Sequence, residues 1–170
     1  MQKATKDLNE AFDRWFLRPL KALKKVPNND GALVALATAC FLYERYTDAV
    51  LKSTNQKVSD EKKIKQLEKD FVISHQDAKT FWDVVRNGLL HKAMPKQLNY
   101  GKKTTPDWKF STNYPISIEI SGGALKVNPW IVVDKVLRLW KQNIHLLDHN
   151  KSFPLATIVS EQNFFTTRSP

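Results

Sequence analysis

GALVALATACFLYERYTDAVLKS, from Gly31 to Ser53, is the stretch on which the fold turns. From Gly31 to Tyr43 it is apolar nearly all round, yet it is only about half to two-thirds of a membrane span and stops at Glu44-Arg45. It reads as a buried helix, the central one of a soluble domain. Its second half turns polar at Glu44, Arg45 and Asp48. Glu44 and Asp48 stand four residues apart and share a face, close enough for both to meet one arginine.

The segments on either side carry helical spacing too. Leu8, Phe12, Trp15, Phe16, Leu20 and Leu23 follow a three–four rhythm over residues 5–25. Pro19 predicts a kink or break there, and Arg14, Arg18, Lys21, Lys24 and Lys25 make the polar face basic. Pro27 to Gly31 is a turn, with Asp30 expected to cap the central helix. Ser59 is expected to cap a third helix with a thin stripe of Ile64, Leu67 and Phe71. A fourth helix is expected over 76–94, ending before Pro95.

Residues 95–115 lose all periodicity and read as a long loop. Lysines lie in and beside it, and Tyr100, Trp108, Phe110 and Tyr114 alternate with them. Two readings stand: stacking platforms for single-stranded nucleic acid, or anchors that hold the loop to the core. Ile116 to Ile120 alternates with period two, Gly122-Gly123 follows, then Ala124 to Val127: a hairpin with a two-residue turn. Asn128 caps a last helix with Pro129 at its first position and a stripe from Ile131 to Leu147. The fold expected is mainly α, an antiparallel bundle of four to five helices with a small β-hairpin inserted before the last helix. One domain covers 1–150, with loop 95–115 and hairpin 116–127 as insertions and 151–170 as a tail.

The 170 residues carry a net charge of +10, which attracts polyanions, nucleic acid before anionic membrane. Cys40 is the only cysteine, so no internal disulfide or cysteine-based zinc site is possible, which fits a cytoplasmic location. The N-terminal residues lack an apolar signal core, and no membrane association is expected. His145 and His149 are four apart without an evident third ligand, so neither metal nor cofactor is expected. Gly122-Gly123 lacks the rest of a phosphate loop, and no nucleophile motif is present.

Chemistry concentrates in Arg86-Asn87-Gly88-Leu89-Leu90-His91. Gly88 could end the helix as a C-cap. Leu89, however, continues the stripe of Phe81 and Val85, so the helix is expected to run through at a cost of about 1 kcal/mol relative to Ala. Asn87 and His91 then share a face, and Arg86 is rotated away but long enough to swing back. An imidazole can move a proton near neutrality, an arginine can clamp a phosphate, and RNA brings its own 2′-hydroxyl. Lys92, Lys96, Lys102 and Lys103 are the expected RNA contacts.

FWDVVRNGLLHKAMPK, with its Arg-polar-x-x-x-His pattern late in a helix, resembles the signature of the HEPN superfamily (higher eukaryotes and prokaryotes nucleotide-binding) in its defence and toxin branch. The resemblance covers roughly residues 5–148, but only the six-residue motif is specific. It implies a helical homodimer with facing motifs and metal-independent endoribonuclease activity leaving 2′,3′-cyclic phosphates. It also implies catalytic roles for Arg86 and His91, a positioning role for Asn87, and support of Arg86 by Glu44 or Asp48. A close approach of two motif helices would then explain Gly88, and an antitoxin or defence-system partner is implied. The tyrosine that antitoxin-modified members carry two residues after the histidine is Ala93 here. The competing readings are a non-catalytic RNA- or nucleotide-binding module and a helical interaction protein.

Overall fold

Helices form where the three–four spacing puts them, and the departures from regularity fall at identifiable residues. The computed structural model describes residues 8–96, the backbone of 99–100 and 103–104, and residues 107–146. Helix α1 covers residues 8–23 and buries Leu8, Ala11, Phe12 and Leu20. Pro19 has no N–H, and its ring crowds the carbonyl four residues back. The helix absorbs this by widening instead of breaking. Over Asp13–Leu17 it is a π-helix, and the Arg18 N–H reaches the Asp13 carbonyl five residues back.

In the turn that follows, Asn28 and Asn29 both take left-handed backbone angles, φ 56° and 61°, which asparagine tolerates better than most residues. Asp30 does not cap the next helix. Its own backbone is already helical (φ −61°, ψ −23°), so its carboxylate is not carried over the first turn, and Gly31 occupies the cap position.

Helices α2 (Ala32–Ser53), α3 (Asp60–Phe71), α4 (residues 75–92) and α5 (Pro129–Gln142) complete the helical layer. The apolar stretch of α2 does make it central: it packs against all four other helices, most extensively α5. Trp140 of α5 is fully buried and donates its indole N–H to the Leu42 carbonyl of α2 at 2.9 Å. Ser59 caps α3 as expected, accepting from the Lys62 N–H. Ser74 and Asp77 cap α4 reciprocally: the Ser74 hydroxyl accepts from the Asp77 N–H and donates to the Asp77 carboxylate. No helix among the described residues is long and apolar enough to cross a membrane. Cys40 is buried in the core, where burial pushes its thiol up to about 12 and leaves it inert.

The stretch 95–115 is not loop throughout. Short strands β1 (Asn99–Tyr100) and β2 (Lys103–Thr104) pair antiparallel, and β3 (Asp107–Phe110) joins a three-stranded sheet with β4 (Ile118–Ser121) and β5 (Ala124–Val127). The strand order is β3-β5-β4, with β3 parallel to β5. Alternation in Asp107-Trp108-Lys109-Phe110, out–in–out–in, is what lets so short a segment pair. The expected hairpin is β4–β5, turned at Gly122 and Gly123, whose φ values of 58° and 74° suit a two-residue turn.

Two polar clamps fix this sheet to the helices. The Asp77 carboxylate of α4 accepts from the Ile120 N–H at 2.7 Å. Asn128, 4% exposed, accepts from the Trp130 and Ile131 N–H groups and donates its amide to the Thr112 and Tyr114 carbonyls. Substituting Asn128→Ala removes the cap of α5 and strands two carbonyls. Urea denaturation is expected to show a loss on the order of 3 kcal/mol.

Candidate functional site

The motif helix does run through Gly88. Helix α4 is α-helical over His75–Thr80, π-helical over Phe81–Arg86 and α-helical again over Asn87–Lys92. At the end of the wide turn the Asn87 N–H reaches back five residues to the Trp82 carbonyl. Asn87 and His91 lie in the same α-helical segment and share a face. His91 is exposed and Asn87 half-buried, whereas Arg86 is only 8% exposed.

Arg86 swings toward Asn87 and α2, not toward His91. One guanidinium nitrogen donates to Asn87 Oδ1, the other meets Glu44 Oε1, and the group lies over the Trp82 ring at 4.7 Å. No hydrogen bond joins it to His91 among the described residues. The Arg86 Nε and the Trp82 indole N–H are buried without acceptors. Of the two carboxylates expected to hold Arg86, only Glu44 does so. Asp48 instead pairs with Lys63 at 2.8 Å and Arg45 at 3.6 Å, the first as a charge contact outside hydrogen-bonding geometry.

Lys63, which sequence reasoning missed, completes the cluster. It is 6% exposed and also reaches Glu44 at 3.2 Å. The signal was present: Lys63 stands four residues before Leu67 and eight before Phe71, on the buried side of an otherwise solvated helix. Burial alone would raise the Glu44 pKa, but hydrogen bonds and charge from Arg86 and Lys63 outweigh it and hold the carboxyl below its ordinary range.

Gly88 has a nearer cause than the approach of a second helix. After Lys92 the chain turns through Ala93, left-handed at φ 58°, and passes back over α4. A Cβ on Gly88 would stand 2.5 Å from the Lys96 nitrogen and 2.6 Å from the Met94 carbonyl oxygen. The Lys96 N–H there donates to the Val84 carbonyl at 2.9 Å, within the wide turn.

The lysines are only partly placed. Lys92 is exposed and Lys96 half-buried, Lys103 is described by its backbone alone, and Lys102 lies outside the described residues, as do His149 and the 151–170 tail. Trp108 and Phe110 pack against the core with ring centroids 5.1 Å apart, so anchoring is at least one of their roles. Tyr114 is half-buried beneath the Lys126 ammonium, and the Tyr100 side chain lies outside the described residues. His75 contacts Glu68 at 2.6 Å, away from the motif, and among the described residues no three His, Cys, Asp or Glu side chains cluster as a metal set. Compared with protein-family models, curated proteins and solved structures, the chain matches none.

Two outcomes follow from this geometry. Gly88→Ala should gain about 1 kcal/mol of helix propensity, yet lose more because its methyl meets backbone, so a lowered Tm is expected. Glu44→Gln should cost about 3 kcal/mol at pH 7 by leaving buried cations underpaired. The folded pKa of Glu44 is depressed, so its contribution is complete above the ordinary carboxylate range and fades as pH falls from there through the depressed value. Urea midpoints of wild type and Glu44→Gln should therefore converge in acid.

Proposed function

We propose that the chain is a HEPN-type, metal-independent endoribonuclease in which His91 is the proton-transfer group and Arg86 a positioning residue. The observation that carries this reading is the Glu44–Arg86–Asn87 chain of contacts, which holds the turn from which exposed His91 projects one turn later. The net charge of +10 and the exposed Lys92 beside His91 favour a polyanionic strand at that helix end. His91 takes the 2′-hydroxyl proton as the oxygen attacks the adjacent phosphorus. The bond to the 5′-oxygen breaks, that oxygen is protonated, and a 2′,3′-cyclic phosphate remains. Base and acid are then two imidazoles, so the working form is a homodimer with one His91 from each copy. A role in a defence or toxin system, with a neutralising partner, belongs to the same reading.

Burial of Arg86 favours a second reading. A guanidinium committed to Glu44 and Asn87 is not open to a phosphate, as a non-catalytic RNA- or nucleotide-binding module would allow. His91 separates the two, because it is exposed and can be changed without disturbing the buried charges. Mixed RNA incubated in EDTA should be cut by wild type to cyclic-phosphate ends, and at least ~100-fold more slowly by His91→Ala. Salt-dependent RNA binding with no cutting by either protein would reject the nuclease and favour the binding module.

A further inference from the structure

Where the turn before α2, the return after α4 and strand β3 come together, they enclose a cleft of about 540 Å³, within the range of small-ligand sites at roughly 300–1,000 Å³. Its walls have a definite chemistry. Trp108 and Phe110 give it aromatic surface, and Met94, half-exposed, adds a polarizable edge. Asn28, Asp30 and Thr112 supply polar groups. Among the described residues the side chains of Asn28 and Asp30 take part in no hydrogen bond or ion pair, so both are free to serve a ligand.

We propose that this cleft binds a nucleobase, and guanine before the others. A flat heterocycle suits the aromatic surface, since base–aromatic stacking is strong and indifferent to sequence. Selectivity comes from the polar pair. Guanine alone presents two adjacent donors, N1–H and N2–H, to one carboxylate, and beside them an O6 acceptor for an amide N–H. Asp30 is the carboxylate and Asn28 the amide. Uracil and cytosine have no such paired donors, and adenine offers its amino group without the imino proton.

Asp30 would repel a phosphate, so the sugar–phosphate leaves the cleft on another side. Basic residues are close in sequence: Lys96 directly follows Pro95 of the cleft wall, and Lys92 precedes Met94 by two residues. The base can come from a free nucleotide or from an RNA strand. As the neighbour of a cleaved bond the site rests on the ribonuclease reading, but as a binding site it stands apart from cleavage.

Titration calorimetry of the full chain with GMP, AMP, CMP and UMP tests this directly. GMP is expected to bind at least roughly tenfold more tightly than UMP, and Asp30→Asn to abolish that preference. Trp108→Ala should weaken all four nucleotides by roughly tenfold or more. Because Trp108 also packs on the core, Trp108→Phe, expected to retain most binding, guards against a folding defect. Exposed Asp30 carries the test if the Trp108 variants unfold. His91→Ala protein titrated with guanine-containing and guanine-free single-stranded RNA separates the sources. Tighter binding of the guanine strand than of GMP assigns the site to RNA, and equal binding assigns it to the nucleotide. Four nucleotides binding alike, or a GMP preference that survives Asp30→Asn, would overturn the proposal. GMP preference in a protein that cuts no RNA leaves the cleft standing and removes the ribonuclease reading alone.

Discussion

Two cations and two carboxylates meet where three helices come together: Glu44 and Asp48 from α2, Lys63 from α3, Arg86 from α4. Taking such groups out of water is costly for each, and removing Glu44 leaves Arg86 buried without its carboxylate. The joint closes only when all three helices arrive in one register. A one-residue slip of α3 would bring Lys62 or Ile64 to the position of Lys63, and the apolar stripe of Leu67 and Phe71 would rotate with it. The charges thus enforce the same register as the apolar stripe.

The same joint divides labour along the motif. Arg86 is fixed by Glu44, Asn87 and the Trp82 ring, while His91 one turn later remains in solvent. Helical spacing allows this division, because within Asn87–Lys92 the His91 face is shared with Asn87 while Arg86 is rotated off it toward α2.

Much of the fold was legible in the sequence because its causes are local. The apolar run of α2, the Ser59 and Asn128 caps and the Gly122-Gly123 turn act within a few residues of themselves. What escaped depends on distant partners. Strand β3 is four residues long and becomes a strand only because β5 offers it a ladder, although the alternation of Trp108 and Phe110 was there to read. Asp48 shares the face of Glu44 as its spacing required, but it pairs with Lys63 from another helix while Arg86 takes Glu44. The reading of Gly88 as a point of close approach was right in kind, and the approaching backbone is the chain's own.

That returning backbone gives the β insertion a root. The Lys96 N–H fastened to Val84, with Gly88 leaving room beneath it, pins the chain just before the insertion departs. Asn128 pins it where α5 resumes. Between the two anchors, loop residues outside the buried strands β4 and β5 can lengthen at a loop-closure cost of only about 0.6 kcal/mol per doubling. The helical body and the segment between the anchors can therefore diverge at different rates: new residues can accumulate beyond Lys96 while the buried charges and the motif turn stay as they are.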